Sequence, residues 1–93
     1  MTRPHPIRFA RYDEQFKALL SKLPAEIREA ARQAIKDLTL DPYPKKYRLE
    51  KQTSEIYTIH VTRNHSHKLS FELAGDTAIL RKIGTHKEID RSP

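Results

Sequence analysis

The 93-residue chain predicts an α+β fold: an N-terminal helical hairpin packed on one face of a small twisted antiparallel sheet, in the order β-α-α-β-β-β. Three observations predict it. Residues 12–38 carry apolar side chains at helical spacing, interrupted once by Leu23-Pro24. Residues 56–62 and 67–73 carry them at alternate positions, and a further apolar run covers 77–83. The connections between these runs are short. Helices repeat every 3.6 residues and strands every two, so the change of period marks the change of element. One helical layer on one sheet buries both apolar stripes, and the length predicts one domain over residues 1–93.

Residues 1–6 hold Pro4 and Pro6 without periodicity and read as a loose arm. Residues 7–10 read as a short strand with Ile7 and Phe9 inward. Tyr12, Phe16, Leu19, Leu20 and Leu23 share a helical face, so a first helix is expected over 13–21. Asp13 stands at its start, where a cap or the helix dipole favours an acid. Proline disfavours a helical residue before it and suits the first helical position, so Pro24 separates two helices. Ile27, Ala30, Ala31, Ala34, Ile35 and Leu38 form the second stripe, with Glu26 and Glu29 near its start and Lys36 near its end. This helix should stop before Asp41-Pro42. Residues 49–54 read as an edge strand or as loop. The turns at 63–66 and 74–76 join the last three strands into an antiparallel meander, Gly75 supplying hairpin chemistry.

The composition narrows the function classes. There is no cysteine, which removes disulfides and thiolate chemistry and suits a reducing cytoplasm. The N-terminus lacks the apolar run of a signal peptide, and no stretch approaches the roughly 20 residues of a membrane span. A soluble cytoplasmic protein is expected, with no membrane partner. Eighteen Lys and Arg against twelve Asp and Glu leave a net charge of +6, which favours polyanionic partners such as nucleic acid.

The alternation in 56–73 puts Tyr57, Ile59 and Val61, and Leu69, Phe71 and Leu73, on one face. The other face then carries Thr58, His60 and Thr62, and Lys68, Ser70 and Glu72, as an open, partly basic surface. His60 and Lys68 share that face, and His86 follows it after Gly84. Cleaving RNA through its 2′-hydroxyl needs a base, an acid and cations that steady the charge on phosphorus. Imidazole titrates near neutrality and can serve as either proton-transfer group. Lysine and arginine supply the charge. His60, Lys68 and His86, with Arg81, Lys82 and Arg63 nearby, meet all three needs without a metal or other cofactor. His65 and His67 are two apart, but no further close ligand pair and no cysteine supports a metal site. They read as a polar loop or as substrate-positioning groups. The loop at 43–48 is either a solvated connection or a lip, with Lys45 and Lys46 on phosphates and Tyr47 stacking on a base. Lys87 adds a cation in the tail.

The runs Tyr57-Thr58-Ile59-His60-Val61, Lys68-Leu69-Ser70-Phe71-Glu72-Leu73 and Leu80-Arg81-Lys82-Ile83-Gly84-Thr85-His86 resemble toxins of the RelE/ParE superfamily, over about residues 9–90. The Gly84-Thr85-His86 end is similar to the YafQ branch, in which this histidine is catalytic. The resemblance implies a metal-independent mRNA interferase acting on messenger in the A site of the 30S ribosomal subunit, bound by a cognate antitoxin in a hetero-oligomer. Carried over by position, His60, Lys68, Arg81, Lys82 and His86 match the family's basic site residues. The chain departs from YafQ in a longer turn at 64–66, in Ser66 and His67 where an acidic-aromatic pair is expected, and in lacking an aromatic residue after His86, where Ile89-Asp90-Arg91 stand. The rival readings are a ParE-like inhibitor of DNA gyrase, a basic binding module without activity, and a toxin that folds but no longer cuts.

Overall fold

The computed structural model describes residues 7–40, 45–53 and 55–93. The loose arm and the first two residues of the basic-aromatic loop lie outside the described residues, while the second helix stops at Asp37, ahead of Asp41-Pro42 as expected. The order is β1 (Phe9–Tyr12), α1 (Glu14–Ser21), α2 (Ala25–Asp37), a 3-10 turn (Lys45–Tyr47), β2 (Glu50–Lys51), β3 (Ile56–His60), β4 (His67–Ala74), β5 (Thr77–Thr85) and α3 (His86–Arg91). The five strands form one sheet in the order β1-β5-β4-β3-β2.

The helical hairpin covers the apolar face. Phe16 and Leu20 of α1 and Ala31, Ala34 and Ile35 of α2 are buried with Ile59, Leu69, Phe71 and Leu80 of the sheet. Pro24 occupies the N-cap position, one residue ahead of the place expected for it, and Asp13 caps α1 by position without a side-chain bond. Gly75 takes a φ of 63°, the left-handed region that the first central residue of a type II′ hairpin requires.

Three expectations are corrected. First, β1 runs from residue 9 to 12 and pairs parallel with β5, so the sheet is mixed. Arg8 and Phe9 amides both donate to the Asp76 carbonyl, which fixes this register. Phe9 is consequently turned out, at 60% exposure, while Ala10 and Tyr12 pack on the core and Ile7 is buried ahead of the strand. Second, β5 runs from Thr77 to Thr85, two residues past the expected end, and carries an irregularity. Ser70 pairs with Lys82 and Phe71 with Leu80, so Arg81 is the extra residue of a bulge. A bulge lets two successive residues face the same way, and Arg81 and Lys82 both reach the tail on the polar face, at Pro93 and Ser92.

Third, the polar face is not open. The tail folds back over it as α3, whose start is fixed by a capping box. The Thr85 amide donates to Glu88 Oε1 at 2.8 Å, and the Glu88 amide donates to Thr85 Oγ1 at 3.3 Å. Gly84 makes this possible, because a Cβ there would stand 2.9 Å from the same Glu88 oxygen. Beyond α3, Ser70 Oγ donates to the Pro93 carbonyl at 2.8 Å. Thr58, His60, Lys68 and Ser70 are all buried as a result. No helix among the described residues is long and apolar enough to cross a membrane.

Candidate functional site

Strand pairing sets the site. His60 is opposite Lys68 on β4, and Lys68 is opposite Gly84 on β5, two residues before His86. One turn of α3 then places Asp90 on the same side as His86. His86 Nδ1 lies 2.8 Å from Asp90 Oδ2. Lys68 Nζ donates to Asp90 Oδ1 at 2.7 Å and lies 3.7 Å from Glu50 Oε1. One carboxylate thus holds a lysine with one oxygen and an imidazole with the other. The hydrogen bond from Lys68 keeps the Asp90 carboxyl below its ordinary value against the opposing effect of burial, and the charges of Lys68, His86 and His60 add to it. With Nδ1 of His86 paired to the Asp90 carboxylate, the other ring nitrogen, Nε2, is the one left for proton exchange.

His60 is the centre of an imidazole cluster. Its ring lies 4.4 Å from that of His65 and 5.2 Å from that of His86. His65 reaches this place because the β3–β4 turn takes it to a φ of 59°, a conformation histidine tolerates better than most residues. Thr62 holds the turn: its carbonyl accepts from the His65 amide and its hydroxyl bonds Ser66 and Asn64. His60 is 5% exposed, and its Nδ1 has no hydrogen-bond partner among the described residues. Burial pushes its pKa below the ordinary 6.5, and the charges of His65, Lys68 and His86 push the same way. Among the described residues no three His, Cys, Asp or Glu groups are placed to hold a metal ion.

No protein-family model and no curated relative matches the chain. Solved structures do. RelE in the RelB-RelE antitoxin-toxin complex from Methanococcus jannaschii is 24% identical, with 89% of this chain and 99% of that one covered and a TM-score of 0.63. The isolated E. coli RelE toxin is 15% identical, with 90% and 97% covered and a TM-score of 0.66. YafQ from E. coli is 21% identical, with 88% and 97% covered and a TM-score of 0.62. The fold is that of the RelE and YafQ toxins.

On this RelE fold the expected residues part company. His60, Lys68 and His86 come together, and His65 joins them. His67 does not: it sits on β4 opposite Thr85, and its Nδ1 bonds Ser66 Oγ at 2.8 Å. Arg81 is 3.5 Å from Glu72 and touches the Pro93 carbonyl, and Lys82 bonds Ser92. Lys87 is exposed on α3, and Lys45 opens the 3-10 turn. Tyr47 belongs to the core at 5% exposure and donates to Asp37 Oδ2 at 2.5 Å. Burial and that bond push its pKa well up, and the Lys46 ammonium lies 5.1 Å from its ring centroid. Asp90 is the site residue that the sequence reading missed. Its signal was the Thr-x-x-Glu spacing of Thr85 and Glu88, which announces a helix start and so puts residues 86 and 90 on one side.

A pocket of about 460 Å³ adjoins the imidazoles. His60 and His65 wall it on one side, α2 on another through Ala30 and Gln33, and the segment Lys46 to Arg48 on a third.

Proposed function

We propose that this chain is the toxin of a toxin–antitoxin pair, an endoribonuclease that cuts messenger RNA at the ribosome by acid–base catalysis. The observation that carries the reading is the group of imidazoles around His60, one of them braced by Asp90, on a fold shared with RelE and YafQ. A protein that only binds has no use for convergent imidazoles with one nitrogen held and the other left to exchange a proton.

The roles follow from the surroundings. His60, kept neutral by burial, takes the proton of the 2′-hydroxyl. His86 in its imidazolium form, its Nδ1 paired with Asp90, gives a proton from Nε2 to the leaving 5′-oxygen. The oxygen so activated attacks phosphorus, the bond to the 5′-oxygen breaks, and a cyclic phosphate remains, with no metal needed for the proton traffic. Arg63, which lines the pocket with His60 and His65, faces the growing negative charge. Lys68, with 3% exposure of its side chain, does not line the pocket as His60 does and so does not meet a phosphate directly. We assign it to holding Asp90. The RelE and YafQ structures include complexes with antitoxins, RelB-RelE and DinJ-YafQ. A chain of net charge +6 suits such a partner, since an acidic or amphipathic segment laid across it suppresses non-specific RNA binding. Action in the cytoplasm follows from the substrate.

The test is induced expression of wild type and His86→Ala in a bacterial host, with mapping of messenger 5′ ends. Codon-phased cuts that vanish in the variant are the expected result. Growth arrest with intact messenger in wild type overturns the nuclease and points to a gyrase-type target.

A further inference from the structure

The proton-transfer scheme leaves the pocket beside His60 unused. Its volume of about 460 Å³ is in the range of small-molecule sites. Its lining includes the apolar Ala30 and Val61 and the cations Lys46, Arg48 and Arg63, without a carboxylate among the described lining residues. Such a site suits a flat apolar body attached to an anion. Gln33 adds recognition. One of its amide hydrogens goes to Asp37 Oδ1 at 3.0 Å, which leaves one donor and its carbonyl oxygen side by side. A base edge presents the matching acceptor and donor. The same Asp37 receives the Tyr47 hydroxyl, so two lining residues are braced from behind by one carboxylate. On the side of the chemistry the wall is made of His60 and His65, so a base seated here leaves its phosphate next to the imidazoles.

We infer that this pocket holds one nucleobase of single-stranded RNA, with Gln33 on its edge and Arg48 and Arg63 on the adjoining phosphate, and that it selects the base beside the cut. The selection of a cut site rests on the ribonuclease reading; the binding of a nucleotide does not. Gln33 is exposed, so its replacement leaves the fold intact.

The purified protein is titrated with each ribonucleoside 5′-monophosphate and with inorganic phosphate, following the Gln33 side-chain amide by NMR. At least one nucleotide shifts this signal and binds Gln33→Ala about tenfold more weakly, the low end of a bidentate base contact. Phosphate alone leaves the signal in place. No nucleotide binding, or equal binding by Gln33→Ala and Gln33→Glu, overturns the inference. In cells, Gln33→Ala flattens the base preference at one position beside the cut. Cutting by wild type with the same preference in the variant overturns the inference and spares the nuclease. No cutting by wild type overturns the nuclease, and the titration then decides the pocket by itself.

Discussion

Replacing Asp90 by asparagine keeps its size and removes one negative charge from the point where Lys68 and His86 meet. The wild-type carboxylate accepts a hydrogen bond from Lys68 at 2.7 Å and pairs with His86 Nδ1 at 2.8 Å. An asparagine offers one oxygen and one NH₂ group, so it satisfies one partner and opposes the other. A hydrogen bond to a charged group contributes about 1.5–3 kcal/mol. Two features reduce that here. Asp90 is 43% exposed, so water screens the pair, and Glu50 stays 3.7 Å from Lys68. The expected loss is therefore about 1–2 kcal/mol, against a total of about 5–15 kcal/mol for a domain. The variant still folds, and its melting temperature falls by roughly 4–16 °C. The loss depends on pH. The Asp90 carboxyl is held below its ordinary 3.8 in the folded chain, so its contribution is complete above that value and fades as pH falls through the depressed one. The gap between wild type and Asp90→Asn in a thermal melt should thus be constant near neutrality and close in acid. Cleavage should fall about ten- to a hundredfold, part of what a positioned acid–base group supplies, because His86 no longer has its Nδ1 proton held. Equal melting curves at neutral pH refute the network. A lowered melting temperature with unchanged cleavage and an unchanged pH–rate profile refutes the role of Asp90 in orienting His86.

Three further outcomes follow from the same geometry. His60 is pushed below 6.5 by burial, so folding stability is complete above 6.5 and is lost as pH falls towards the depressed value; His60→Gln should remove this segment from a urea-denaturation series run against pH. At the start of α3, Thr85→Ala should cost about 1 kcal/mol as a lost cap. Gly84→Ala should force the Glu88 carboxylate off the Thr85 amide and so add little on top of Glu88→Ala, which a double-mutant cycle by chemical denaturation measures.

The parts of the fold that were legible in the sequence are those where one face is apolar. The stripes of α1 and α2 and the alternation of β3 and β4 follow directly from burial on a single side. The third strand resisted because Leu80 and Ile83 both face the core across a bulge at Arg81, which breaks the period of two. The first strand was placed two residues early because its register is set by a distant partner, β5, and not by its own pattern. The candidate site was legible in His60, Lys68 and His86, which strand register brings together. It was incomplete in His65, whose place depends on a left-handed turn, and in Asp90, whose place depends on a helix with one buried apolar residue, Ile89. Alternation also says which residues share a face and nothing about what lies over it. Ser70 looked like surface and is interior, because the tail returns across it, and Thr58 is buried with Gln52 on its hydroxyl.

The parallel pairing of β1 with β5 has a consequence for the timing of assembly. A chain leaves the ribosome from its N-terminus, and residues 9–12 wait for residues 77–80 before they find a neighbour. His86 and Asp90 emerge later still. A half-made chain holds His60 and His65 without His86 or the carboxylate paired with it. The order of synthesis therefore acts as a safety catch: a stalled or truncated product carries no assembled imidazole cluster, and the site comes into being only when the last helix has emerged and closed over the sheet.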